Sequence, residues 1–253
     1  MTSAAPGPVS RAWLETFFSD RNAGEFVVVP VSAIHAPPGR GPADLLPACR
    51  SVIIFGRVMG DELFSGTQRE TAPAIRAFKR DLARTSSELA RILEEQGPAA
   101  VAVNSVYVKD GKVRGSLSLK HCAQDAGLGE IGCNTLLISP RFGNRLGLGA
   151  VLSAGEIEAV PAPAFRHGLC TRCGACIRSC PEGALGPDGI EQARCRNMTG
   201  AVPAPFVPLL FRLMQTKMLE ALSSAIANYF ARRSGSRCSA CLIACPYFNK
   251  GGA

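Results

Sequence analysis

The stretch Cys170-Thr-Arg-Cys173-Gly-Ala-Cys176-Ile-Arg-Ser-Cys180-Pro181 sets four cysteines at C-x2-C-x2-C-x3-C-P spacing. Three thiolates two residues apart on a tight loop reach three corners of one cubane, while the loop's N–H groups point at its sulfides. The fourth thiolate is carried past that cubane to a different cluster, and the proline turns the chain away. A second group, Cys238-Ser-Ala-Cys241-Leu-Ile-Ala-Cys245-Pro246, repeats the ending, and Cys195 supplies a ligand from upstream. The exchange rule then gives two 4Fe–4S clusters, one on Cys170, Cys173, Cys176 and Cys245 and the other on Cys180, Cys195, Cys238 and Cys241. A zinc ribbon would need only two C-x2-C pairs. Cubanes with four thiolates each leave no open iron for a substrate, so the clusters carry electrons.

Composition agrees with this and excludes other classes. The 253 residues are 47% hydrophobic and 19% charged, enough for a core and too apolar for global disorder. The 26 Gly and 18 Pro follow no period. No uncharged apolar run of about 18 residues exists to span a membrane, and the N-terminus lacks the pattern of a signal peptide. The expected location is the cytoplasm, where eleven cysteines stay reduced. Two clusters with their thiolates bring the formal charge from +8 down to about +4. The basic excess is therefore weak grounds for a nucleic-acid partner, which ranks last.

Upstream of the cysteines, residues 1–160 read as a mixed α/β domain, and 161–253 as a ferredoxin-like module that begins at Pro161-Ala-Pro163. Ser10 caps a helix over Arg11–Phe18. Phe26-Val-Val-Val and Ser51-Val-Ile-Ile-Phe are strands stopped by Pro30 and Gly56, and Ala99–Val108 is a third. A long helix runs from about Arg69 to Gln96, and a shorter one covers Ser116–Asp125. Residues 206–230 form an apolar-striped helical insertion. It packs on its own domain or serves as a homodimer seam, with membrane-surface contact the last choice.

The glycine-dense segment after His121 holds Gly127-Leu-Gly129-Glu-Ile-Gly132. It matches a dinucleotide fingerprint, yet no strand leads directly into it and no helix opens at Gly132, so a Rossmann reading is set aside. The alternative is a loop whose glycines admit a large planar cofactor.

The order A-G-L-G-x-x-G-x-N-T-L-L-I-x-P-x-F-G-N, then L-G-A-V-L, the cluster run and a closing C-x2-C-x3-C-P resembles the epoxyqueuosine reductases. The likeness extends from about Ala48 to Pro246. It is closer still to short iron–sulfur proteins labelled after that family. The resemblance implies an α/β (α+β) chain in which a nitroreductase-like domain joins a two-cluster module. It also implies a corrinoid, as in the related reductive dehalogenases, fed by the nearer cluster. Gly127, Gly129, Gly132, Asn134, Gly143 and Asn144 match the cofactor-side loop, and the eight cluster cysteines match in the two sets given above.

Three departures stand out. The family's acidic proton donor lies in a D-S-A-P stretch, whereas here Gly111-Lys-Val-Arg-Gly-Ser-Leu-Ser has no carboxylate and Asp110 is out of register. The family's Gly-Lys reads Gly132-Cys133. The helical repeats that help hold tRNA do not follow Pro246. These point away from epoxyqueuosine itself as substrate and leave a corrinoid (cobalamin) or a flavin for the pocket.

Among single residues, Cys133 is either a tolerated thiol or one facing cobalt or substrate. His121 is either a proton donor, or a cap on the corrinoid face, or a structural hydrogen-bonding group. Tyr107 and Asp110 are candidates for proton delivery. His167 tunes the first cluster or faces solvent, and Cys49 and Cys122 are structural. The leading expectation is a reductase that takes electrons from ferredoxin or flavodoxin and reduces a small organic substrate. The rival is a non-catalytic electron-transfer or corrinoid-reactivating protein serving a partner enzyme.

Overall fold

The computed structural model describes residues 9–103, 106–109, 112–165, 167–199, 224–225 and 238–249. Apart from residues 224–225, which are helical, the expected 206–230 helix with its dimer seam lies outside these described residues, as does Asp110. Tyr107 is described through its backbone, which pairs with Arg114.

Helix α1 (Arg11–Ser19) starts where the Ser10 hydroxyl accepts the Trp13 N–H at 3.3 Å. Strand β1 (Glu25–Pro30) pairs antiparallel with β2 (Ser51–Val58), which pairs with β8 (Leu146–Ser153), and β8 pairs with β3 (Ala100–Ala102). The sheet order is β1-β2-β8-β3, antiparallel throughout. No parallel βαβ unit exists within it to carry a Rossmann site.

The strands alternate cleanly. Val28, Ile53, Phe55 and Val151 face α1 and the long helix α3 (Gln68–Glu95), packing on Leu14, Phe17, Phe18, Leu89 and Leu93. Val27, Val52, Ile54, Ala150 and Leu152 face the other side, covered by Leu117, Cys122, Ala123 and Leu128 around α4 (Leu119–Asp125). Each such fully buried side chain contributes about 1.5–3 kcal/mol of burial energy. With both sheet faces covered, the strands read as the near-continuous apolar runs seen in the sequence.

Three expectations are corrected. Gly56 does not stop β2. The strand runs on to Val58, and the missing side chain makes room for Leu146, whose Cδ2 lies 2.5 Å from where a Cβ would stand. The apolar run 99–108 is not one strand. β3 joins the main sheet, whereas β4 (Val106–Lys109) forms a separate hairpin with β5 (Lys112–Gly115). Helix α4 begins three residues later than expected, after buried Leu117 and Ser118.

Candidate metal centre

Helix α4 ends in a Schellman motif. The Gly127 N–H donates to Gln124 O and the Leu128 N–H to Ala123 O, at 3.0 and 2.9 Å. Gly127 holds the left-handed φ of +83° that this C-cap requires. Directly after it, β6 (Glu130–Ile131) and β7 (Leu137–Ile138) make a small hairpin. Its tip, Gly132 to Thr135, is closed by the Thr135 N–H on Gly132 O at 2.8 Å. Gly143, at φ +61°, makes the turn opposite Ser139. The glycines that mimic a dinucleotide fingerprint thus build a helix stop and a hairpin.

The tip faces the first cysteine group. A cavity of about 110 Å³ is lined by Gly132, Cys133 and Asn134 on one side and by Cys170, Cys173, Cys176 and Cys245 on the other. Left-handed Arg172 (φ +53°) and Gly174 (φ +72°) curl the Cys170–Cys176 segment around this space into helix α5 (Ala175–Arg178). Burial opposes ionisation of Cys170. The N–H groups of Cys133 and Arg172, the Cys133 thiol and the Arg172 charge outweigh it and hold the Cys170 pKa below the usual thiol value. Burial and the neighbouring charges of Cys170 and Cys173 push Cys245 up.

A second gathering of thiols lies behind α5. Cys241 is pushed up to about 11 by burial and by the charges of Cys238, Cys195, Cys180 and Cys176. Burial works against Cys180 as a thiolate, but the N–H groups of Ala184, Glu182, Leu185 and Gly183 surround it and lower its pKa; Ala184 N is 3.2 Å from the sulfur. Asn197 clasps Cys238 both ways. Its amide donates to Cys238 O at 2.6 Å, and its Oδ1 accepts the Cys238 N–H at 3.0 Å. This sets Cys238, at the start of the last cysteine turn, beside the segment that carries Cys195. No disulfide joins any two of the eleven cysteines, all of which lie in the described residues.

The sheet half grips this module at three points. Asn134 and Asn144 donate their side-chain amides to Cys241 O and Leu242 O, at 3.5 and 2.9 Å, within the short helix α7 (Ala240–Ile243). The buried Arg145 guanidinium pairs with Asp61 and lies 5.0 Å from the Phe248 ring, which also meets Phe64 edge-on. Glu130, on β6, accepts the N–H groups of Gly168 and Leu169 at 2.7 Å each, just ahead of Cys170.

Burial of Glu130 favours its protonated form, but those two N–H groups and the His167 ring outweigh it and hold the carboxyl below the usual 4.5. A lowered folded-state pKa stabilises the charged form, so this latch is in full force above pH 4.5 and is lost as pH falls through the lowered value. Glu130→Gln is therefore expected to melt below the parent at pH 7. The gap should close as the pH drops below 4.5, which thermal denaturation across a pH series will read.

The other expected site residues fall elsewhere. His121 bonds Ser118 at 2.7 Å, and burial and the charges of Lys120 and Arg40 keep it below its usual pKa. It does not line the thiol cavity. The His167 side chain is 84% exposed and faces solvent. Burial pushes Cys122 up to about 12, and Cys49 is buried against Ser51 O; both are core residues. Glu130, Arg145 and Asn197 carry no local sequence signal for these roles, since each acts on main chain or a side chain far away in the sequence.

Comparison with known proteins gives the class first. Residues 162–185 match the family described as "4Fe-4S binding domain", which makes this an iron–sulfur protein. The chain is 33% identical over 166 residues to the epoxyqueuosine reductase of Gloeobacter violaceus, covering 64% of this chain and 49% of that protein. It therefore spans about half the length of the curated relatives it matches. The structure of epoxyqueuosine reductase from Streptococcus thermophilus superposes with TM-score 0.59 at 18% identity, over 94% of this chain and 66% of that one. An epoxyqueuosine reductase solved with an epoxyqueuosine-modified tRNA-Tyr stem loop gives TM-score 0.54 at 16% identity, over 94% and 65%. In sequence and fold the chain is thus similar to the epoxyqueuosine reductases, with a 4Fe-4S binding segment at residues 162–185. Among the described residues, no helix is long and apolar enough to cross a membrane.

Proposed function

We propose that this protein is an iron–sulfur reductase that moves electrons through two 4Fe–4S clusters to an acceptor held by the sheet half. The observation carrying this reading is a cavity walled by Cys170, Cys173, Cys176 and Cys245, with Cys180, Cys195 and Cys238 all near enough to Cys241 to act on its charge. The donor set is all sulfur and encloses a space rather than a point, which suits a cubane. A bound cubane supplies one-electron transfer with little rearrangement. The chain's own part is to fix the ligands. The N–H groups around Cys170 and Cys180 favour their thiolates, and Asn197 positions Cys238. Asn134 and Asn144 hold the carbonyls of the last cysteine turn.

In this reading residues 1–160 form a nitroreductase-like domain and 161–253 the two-cluster module. The setting is cytoplasmic, with ferredoxin or flavodoxin as donor. A corrinoid or flavin on the sheet side is the acceptor that reduces the substrate. In favour of such a ligand, Asn144 Oδ1 and Arg145 Nε are buried with no hydrogen-bond partner among the described residues. The rank given to nucleic acid changes: a fold neighbour holds a tRNA stem loop, so a modified tRNA joins small organic molecules as a substrate class for this chain.

One observation favours the rival reading of a carrier that serves a partner enzyme. Gly127, Gly129, Asn134 and Asn144, matched to the cofactor side, are all committed to contacts within the chain. Anaerobic titration of the iron-loaded protein with cob(II)alamin separates the two. The reductase reading expects the cobalt EPR signal to change to a base-off form. An unchanged free cob(II)alamin signal, with no flavin bound either, leaves the carrier.

A further inference from the structure

The first cavity has one thiol too many. Cys133, Cys170, Cys173, Cys176 and Cys245 all line it, and a cubane takes four. The surplus sulfur comes from the sheet half, at the tip of the β6–β7 hairpin. The turn needs no thiol for its own geometry. Its shape is set by Thr135 at φ +61° and by the Leu136 N–H donating to Asn134 Oδ1 at 3.2 Å.

The Cys133 sulfur lies 3.7 Å from the Cys170 sulfur. Two thiolates on one tetrahedral metal ion, each bonded at about 2.3 Å, stand about 3.8 Å apart. The two sulfurs thus stand at the spacing that lets one iron be bonded by either. The Cys133 N–H also donates to the Cys170 sulfur at 3.4 Å, so the same residue that offers the second sulfur steadies the first.

We infer that Cys133 is a reserve ligand for the iron that Cys170 holds, the two sulfurs replacing one another at that corner while the rest of the cluster stays in place. The exchange balances simply. The sulfur that binds iron gives up its proton, the departing one takes a proton up, one Fe–S bond forms as one breaks, and no electron moves. The inference rests on the reading of this cavity as a cluster site. Because Cys133 belongs to the sheet half, iron bound to it would also join the two halves of the protein directly.

The test is iron and acid-labile sulfide content, with EPR of the reduced protein, after anaerobic reconstitution. The set comprises the parent, Cys133→Ala, Cys170→Ala, Cys173→Ala and the Cys133→Ala/Cys170→Ala double variant. The expected result is that both Cys133→Ala and Cys170→Ala keep the parent's iron. Cys170→Ala should show an altered EPR line shape, because its ligand has changed. Cys173→Ala and the double variant should each lose about half the iron, one cluster of two. The inference fails if Cys170→Ala loses as much iron as Cys173→Ala, or if the double variant keeps it all. A parent that takes up no iron overturns the cluster reading itself, and this inference with it.

Discussion

Cys245→Ala is expected to lose about half of the bound iron, together with the thiolate-to-iron charge-transfer absorption of one cluster. The expectation is sharp because the variant removes a ligand without releasing the segment that carries it. Leu242 O remains bonded to Asn144 at 2.9 Å, and the Phe248 ring remains between Arg145 and Phe64. The second group, Cys180, Cys195, Cys238 and Cys241, is left complete. Iron analysis and visible absorption after anaerobic reconstitution will read the result. Retention of all the iron would show that Cys245 is not a ligand. Loss of all of it would show that the two groups do not load independently.

Gly129→Ala carries the largest expected loss of stability. At φ +155° a Cβ there would stand 2.1 Å from Ile138 O and 2.8 Å from Ile138 C. Both are main-chain atoms of the partner strand and cannot swing aside as a side-chain tip would. Relief requires β6 and β7 to part, which disturbs the Glu130 latch and the hairpin tip together. Strain of this kind costs on the order of 3 kcal/mol or more. In a chain of this size that corresponds to a fall in Tm of roughly 6–12 °C. Gly186→Ala is the control, because a Cβ there meets nothing within 4 Å, and it should change stability by no more than about 0.5 kcal/mol. Thermal denaturation of the three proteins side by side decides the matter.

The parts of this protein legible in its sequence are those set by local rules. Ser10 before an apolar helical face, the β-branched runs Phe26–Val29 and Val52–Phe55, and the long period from Arg69 to Gln96 all became the elements they suggest. The cysteine spacings, too, are local chemistry. What the sequence concealed depends on distant partners. Gly56 reads as a strand breaker until Leu146 is seen to fill the space above it. Gly127-x-Gly129-x-x-Gly132 reads as a cofactor loop, since nothing in the string says that α4 ends at Asp125 or that Ile138 O approaches Gly129. Asn134, Asn144 and Asn197 act on carbonyls about 40 to 110 residues away, and a side-chain amide aimed at remote main chain leaves no periodic trace.

The first cavity draws three sulfurs from one short turn and the next from Cys245, near the far end of the sequence. A chain emerging from the ribosome presents Cys170, Cys173 and Cys176 well before Cys245. A cubane seated there is completed only after the further 69 residues from Cys176 to Cys245 have been made. In the interval those three thiols are open to oxidation and to stray metal ions. The order of synthesis thus delays loading of this site until Cys245 has emerged, and any chain cut short before Cys245 would present an unfinished cage.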